Sequence, residues 1–530
     1  MQLDYIPFSK TGYFSSLISD YLDEKQDLKP FYNRFPSLNN FKAQIEEKEV
    51  SFNNESRTIL VEAVKKQYKH VDASESTLKN IDNLKTSNTY TITTGHQLNL
   101  FTGPLYFLYK IVSTINLSAE LKSNYPDYNF VPVYWMATED HDFEEINYFN
   151  FKGKKLHWNK DATGAVGELS TNGLDEVFEL FSKELGSNKN AQYLKELFQN
   201  AYLNHDNLAD ATLLLANELF KEYGLVIIDA HNVELKKQFI PYIEDELVNQ
   251  TAFKSVSKTN EGLSIDYGIQ VNPREINLFY LKENLRERIV FEEGVYKVLN
   301  TDMKFSKNDI LKVVSDFPER FSPNVIMRPL YQEVILPNLC YIGGGGELAY
   351  WFQLKDYFNK ANVSFPTLLL RNSVLIQTEK QAEKLQKLNI SKEDIFLKRD
   401  TFINKKVREI SNIDIDFSEQ KEHLVQQFQN LYKLAEQTDK SFLGAVKAQE
   451  VKQLKGLDNL EKRLLNAQKR KLSDVVERMT EIQNELFPNK SLQERNTNFS
   501  EFYLEYGESL IPKLIKNLEP LKSEFAILTL

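Results

Sequence analysis

Four short runs constrain the fold more than any other feature of this chain: TYTITTG (89–95), FVPVYWMAT (130–138), GLVIIDA (224–230) and FPTLLLRNSVLIQ (365–377). They are apolar and rich in β-branched or aromatic residues, and helical segments separate several of them. Such strands must be covered on both faces, which a parallel sheet between two helical layers achieves. The predicted core is therefore α/β, a Rossmann-like, mostly parallel, doubly wound sheet. Sheets of this kind hold ligands at the carboxyl ends of their strands.

A length of 530 residues is more than one simple core needs. Residues 1–390 read as the core, opening with a polar helical segment of roughly 85 residues anchored by Tyr5, Phe8, Tyr13 and Phe14. Insertions are expected near 165–220, as consecutive amphipathic helices, and near 278–320, as antiparallel strands turning at Glu293-Gly294. Residues 391–490 read as an arm. Leu465, Leu472, Val475, Met479, Ile482 and Leu486 alternate at three- and four-residue spacings, with Gln468 completing a coiled-coil stripe. Gly444 and Gly456 suggest where the helix turns to return as an antiparallel hairpin, and a homodimer through this arm is the functional expectation. Residues 491–530 return to the core through the apolar end AILTL.

Composition narrows the partners. The net charge of −10 weighs against duplex nucleic acid but is silent about local basic patches. No apolar run reaches the roughly 18–20 residues that span a bilayer, and MQLDYIPFSKTGYF lacks the layout of a signal peptide, so a cytoplasmic location away from membranes is expected. The single cysteine, Cys340, permits no internal disulfide and reads as a buried structural thiol.

Three passages could carry chemistry. The first strand ends at Gly95-His96-Gln97, then crosses to Thr102-Gly103-Pro104, with Pro104 suited to a first helical position. His96 can serve as acid, base or phosphate ligand, or simply close the strand. The second strand releases Glu139, Asp140, His141, Asp142, Glu144 and Glu145 within seven residues. Carboxylates so crowded need relief from a cation, a substrate amine or solvent. His141 and Glu145 have the i, i+4 spacing of a metal pair, yet the absence of nearby cysteines points away from metal. The third passage is the glycine run 343–346, where Gly343 and Gly344 free the backbone to approach a ligand and Glu347 stands at a helix entrance. Arg328, Gln332 and Arg371 are candidate anion partners nearby. The run KFSK (304–307) imitates a synthetase loop, but Ser306 followed by Asp309 reads as a helix cap.

GHQ-x₃-LFTGPLY, PVYWMATEDHDFEEIN, FSPNVIMRPLYQE, GGGGELAYWFQLK and QERNTNFSEFYLEYG together resemble the bacillithiol-biosynthesis cysteine-adding family, BshC, in the same order over nearly the whole chain. Gly345 stands where that family usually has proline. The resemblance implies a ligase joining cysteine to glucosaminyl-malate, the last step toward bacillithiol. It also implies a Rossmann-like core with connecting insertions, and a coiled coil used for dimerisation. The core of that family is similar to class I synthetases and to the mycothiol cysteine ligase, which activates cysteine as an adenylate. Adenine nucleotide (ATP or ADP) is implied near the coiled coil and C-terminal segment, apart from the expected active cleft, with Arg495 and Asn496 as candidates.

On this reading His96, Asp140, His141 and Asp142 are the catalytic candidates. Gly95, Gln97, Glu139, Glu144, Glu145, Gly343, Gly344 and Glu347 would hold substrate, and no metal site is expected. His96 would steady developing charge, and the 139–145 carboxylates would hold amino groups and accept a proton. Two rivals are a metal-dependent hydrolase using the 139–145 cluster and a non-catalytic coiled-coil assembly protein.

Overall fold

A computed structural model describes residues 2–530. Five strands make the central sheet, and two helices matter for the site: β1 (Thr89–His96), α1 (Tyr106–Asn124), β2 (Asn129–Met136), β3 (Val226–Asp229), β4 (Asn338–Gly343), α2 (Gly345–Trp351) and β5 (Thr367–Leu370). The spatial order is β3-β2-β1-β4-β5, every neighbour parallel. Chain direction across the sheet reverses between β1 and β4, and such a switch point opens a crevice at the carboxyl edge. Register fixes what stands there. His96 pairs with Met136, Met136 with Asp229, and Gly343 with Leu370, so the residues that follow these strands emerge in one row.

The threonines of β1 are compatible with burial because each finds a partner. Thr93 Oγ1 donates to Asn338 Oδ1 at 2.8 Å and Thr94 Oγ1 to the Ile342 carbonyl at 2.7 Å, tying β1 to β4. Helix α1 is buried nearly all round, which suits a helix enclosed by sheet and C-terminal segment.

Three expectations need correction. The run 365–377 is two strands: β5 ends at Leu370, and Val374–Gln377 joins a separate sheet beside Glu524–Thr529, whose other neighbour is Gln2–Pro7. The polar break Arg371-Asn372-Ser373 divides them. The N-terminal segment therefore opens on a strand before its helices, and Phe8 packs edge-on against Phe14 and Phe525. Pro104 lies before α1, bridging Asn498, and does not occupy its first turn.

The second insertion is a five-stranded antiparallel sheet, turning at Glu293 (φ 54°) and Gly294 (φ 82°), the left-handed pair that a tight hairpin requires. Ser306 caps Lys307–Asp316 by accepting from the Asp309 N–H at 3.2 Å, so the KFSK run is a cap. Cys340 is fully buried in β4.

The arm is an antiparallel hairpin of Ser418–Ala435 and Lys440–Lys471, but it turns at 436–439, where Asp439 caps the returning helix. Gly444 and Gly456 lie inside that helix. The stripe 465–486 also differs from a hairpin seam. The helix breaks at Leu472 and resumes as Ser473–Leu486, and Met479, Ile482 and Leu486 are buried in the main core. This segment packs on Arg399–Ile410, where Arg399 donates to Gln483 and Asn484. The hairpin has only a small cluster of its own, Phe428, Ala435 and Val446.

Candidate active site

The carboxyl row opens into a cavity of about 600 Å³. Nine of the fourteen candidate catalytic, substrate and nucleotide residues line it: Gly95, His96 and Gln97; Glu139, Asp140 and Glu145; Gly344 and Glu347; and Arg495; so do two of the three candidate anion partners, Arg328 and Arg371, but not Gln332. The first two passages therefore face one cleft, with the glycine run as its third side.

On the β2 side the carboxylates are already engaged. Glu139 meets Lys236 Nζ at 2.7 Å and His231 Nδ1 at 3.0 Å. Burial alone would push its pKa up, but Lys236, together with His231, holds it at about 2. Asp140 accepts from Gln97 Nε2 at 3.0 Å and from the His141 N–H at 2.7 Å, which with Arg286 outweigh burial and depress its pKa. The same Gln97 nitrogen donates to Glu145 at 2.8 Å, so one amide spans two carboxylates.

The β4 side is basic. Lys110, from the buried face of α1, donates to the Gly95 carbonyl at 2.7 Å and pairs with Glu347 at 2.7 Å. Glu347 also accepts from Tyr341 Oη at 2.8 Å and from the Gly344 N–H at 2.8 Å, so it serves the cleft's frame. Arg371, just after β5, grips the fully buried Glu494 at 2.8 and 3.1 Å, which brings the neighbouring Arg495 to the cavity.

Two histidines face the cavity, and their surroundings separate their chemistry. Burial first, then the charges of Lys110 and Arg371, drive the His96 pKa well below its ordinary value. Its ring, packed on Tyr106 and Phe107, stays neutral, with Nε2 unpartnered. It can hydrogen-bond but cannot store a proton. Burial opposes the charged form of His231 too, but there Glu139 prevails and the pKa rises. Nδ1 is fixed by Glu139, which leaves Nε2 as the free proton-accepting position, with Glu168 at 3.7 Å.

The loop between β1 and α1 is held against its own preferences. Phe101 (φ 47°) and Thr102 (φ 68°) are left-handed without being glycine, at a cost of order 1–3 kcal/mol each. Asn498 offsets it by donating to the Phe101 and Gly103 carbonyls at 2.7 and 2.6 Å, and Tyr202 Oη accepts from the Phe101 N–H at 2.8 Å.

Five marked residues do not line the cavity. His141, half exposed, accepts from Arg286 Nη1 at 2.6 Å through Nδ1. Asp142 and Glu144 are solvent-facing because the short helix Phe143–Ile146 turns Phe143 and Ile146 inward. Gly343 is inside β4, its carbonyl accepting from the Arg371 N–H at 2.9 Å. Asn496 bonds to the Leu492 carbonyl and to Asn489. The His141–Glu145 pair also diverges, one toward Arg286 and the other toward Gln97. Among the described residues no three His, Cys, Asp or Glu side chains converge as a metal-ligand set.

The sequence reading overlooked His231, Lys236, Lys110 and Arg286. His231 had a signal, since it directly follows GLVIIDA and strand ends are where ligands sit. Lys110 had one as well, a lone lysine within the apolar helix LYFLYKIVST. Arg286 had none, because only the fold of the second insertion brings it to the cleft.

Residues 1–372 match the family described as bacillithiol biosynthesis BshC, N-terminal Rossmann-like domain, and residues 374–530 match its C-terminal coiled-coil domain. A protein of Flavobacterium johnsoniae named "Putative cysteine ligase BshC" is 62% identical over 530 residues, covering 100% of both chains. Proteins of the same name from Christiangramia forsetii and Flavobacterium psychrophilum are each 61% identical, covering 100% of this chain and 99% of theirs.

Proposed function

The chain belongs to the bacillithiol-biosynthesis BshC family, and from that premise we propose that it is the ligase that joins cysteine to glucosaminyl-malate. The observation that carries the proposal is a cleft at the switch point of the sheet that sets Glu139, Asp140 and His231 on one side and Arg328 and Arg495 on the other. Both substrates carry amine and carboxylate groups, and such a cleft receives each group at an opposite side.

The reaction forms an amide bond between the glucosamine nitrogen and the cysteine acyl carbon, as the acyl leaving group departs. The attacking amine loses a proton, and His231 Nε2 is the acceptor, with Glu139 stabilising the imidazolium through Nδ1. Lys236 anchors Glu139 and keeps it ionised. Neutral His96, its ring held toward the Thr102 backbone, lines the cleft without exchanging protons.

Adenine nucleotide belongs to the proposal as the source of activation, since ATP supplies a phosphoanhydride whose cleavage drives acyl transfer. Arg495, exposed on the cavity wall and without an ion-pair partner, is available to a phosphate, whereas Asn496 is turned away. A second cavity, of about 1030 Å³, lies at the base of the arm. Its lysines fit a phosphate chain poorly. Lys405 and Lys406 pair with Asp394 and Glu409, and Lys392 donates to the Tyr5 carbonyl.

The arm supports the homodimer part of the proposal. Leu431, Leu434, Phe442, Leu443, Val451 and Leu460 are exposed along the hairpin, which buries few apolar residues of its own. No helix among the described residues is long and apolar enough to cross a membrane, which is compatible with the cytoplasmic location proposed for a small-molecule ligase.

The test is incubation of the purified protein with glucosaminyl-malate and cysteine, with and without ATP, measuring bacillithiol together with AMP and ADP. Bacillithiol only in the presence of ATP is expected. Its absence under all conditions, with no rescue of a strain lacking the family enzyme, overturns the reading.

A further inference from the structure

Three cations of the cleft each have a carboxylate of their own. Lys110 has Glu347 at 2.7 Å, Lys236 has Glu139 at 2.7 Å, and Arg371 has Glu494 at 2.8 Å. Arg328 has none. It is half-buried and faces the cavity. The groups within its hydrogen-bond reach are neutral: Nη1 donates to Gln332 Oε1 at 3.1 Å and Nη2 to Tyr350 Oη at 3.4 Å, while Glu347, whose charge it also feels, is already paired with Lys110. The rings of Trp135 and Tyr341 lie 5.9 and 5.8 Å away.

Two physical costs oppose a cation here. Half-burying a charge that has no ion-pair partner of its own is unfavourable. Arg328 also opens the helix Arg328–Ile335, whose N-terminal field repels positive charge. The approach to it is kept clear as well. A Cβ at Gly95 would stand 3.2 Å from Tyr341 Oη and 3.9 Å from Arg328 Nη1. A cation on the cavity wall, with no ion-pair partner of its own and held against the helix field, suits an anion arriving with the ligand.

We propose that Arg328 binds a carboxylate of the malate end of glucosaminyl-malate, placing the amine end toward Glu139, Asp140 and His231. The identity of the ligand rests on the proposed function, while the need for an anion does not. Malate is preferred to cysteine because its carboxylates stay charged throughout the reaction, whereas the cysteine carboxylate is the group that must be activated. The planar fork of arginine also matches a carboxylate's two oxygens.

The experiment is calorimetric titration of the full-length protein and of its Arg328→Gln and Arg328→Lys variants. The probes are L-malate, glucosaminyl-malate, cysteine, inorganic phosphate and ADP, each alone, with melting temperatures of the unliganded proteins. Arg328→Gln should weaken malate and glucosaminyl-malate by about tenfold or more, and Arg328→Lys by less. Cysteine affinity should hold, and the unliganded melting temperature should not fall, since an uncompensated charge has been removed. Unchanged malate affinity overturns the proposal. So does a lower melting temperature at unchanged affinity, which marks a structural arginine, or a loss confined to phosphate and ADP. Bacillithiol formed at the wild-type rate by Arg328→Gln would remove Arg328 from the site and leave the ligase reading intact. Malate binding lost in that variant, with no bacillithiol from the wild type, would keep Arg328 and remove the ligase reading.

Discussion

The cleft and the arm differ in what each leaves unanswered. In the cleft most charges are met by the protein itself: Glu139 by Lys236 and His231, Asp140 and Glu145 by Gln97, and Arg371 by Glu494. What remains over is cationic, Arg328 and Arg495. In the arm the charges are solvated or paired along the hairpin, as Lys421 is with Asp458 and Glu461, and what remains over is apolar. The residue of one region asks for an anion and that of the other for a second hydrophobic surface. Density of a residue type is therefore a poorer guide to binding than the absence of its partner. The crowded carboxylates at 139–145 mark the cleft, but most of their charge is spoken for.

The largest effect should come from unmaking an answered charge. Lys236→Met strands Glu139 and should lower unfolding free energy by about 3–5 kcal/mol in urea titrations; a change within about 0.5 kcal/mol would mean that the pair is not the anchor described here. The two histidines come next. His231→Gln should cut bacillithiol formation by about 10²-fold or more, while His96→Gln should cost less than about tenfold, and the reverse order would exchange their roles. In the arm, Leu434→Asp combined with Phe442→Asp should convert the proposed dimer to monomer in sedimentation while leaving the melting of the core unchanged. A dimer that survives would move the interface elsewhere.

Acid acts on the same anchor. The Glu139 pKa is depressed from 4.5 to about 2, so its contribution to stability is complete above about pH 4.5 and lost as pH falls toward 2. Glu139→Gln should flatten that part of the stability–pH curve. An unchanged slope would assign acid sensitivity to other carboxylates.

Strands and their carboxyl ends were legible because apolar β-branched runs state burial on both faces, and parallel topology then fixes which end is open. Ion-pair partners were not. Glu139 meets His231 and Lys236 across 92 and 97 residues of sequence, and nothing local in EDHDFEE distinguishes the engaged Glu139 from the solvated Glu144. The stripe at 465–486 shows a related limit. Periodicity reports that a helix face is buried but not what covers it, and here the cover is Arg399–Ile410 and the core. The division of 365–377 was visible in principle, since Arg371 interrupts an apolar run with the charge that later binds Glu494.

Asn498 has a consequence in time. It secures the strained loop beside His96 from 397 and 395 residues further along the chain. A ribosome delivers the threonine-rich strand and Tyr202 well before Asn498, so until Asn498 is made the loop has the Tyr202 hydroxyl but not the two carbonyl contacts that fix its left-handed turn. The nascent protein can assemble its sheet long before it owns a working cleft.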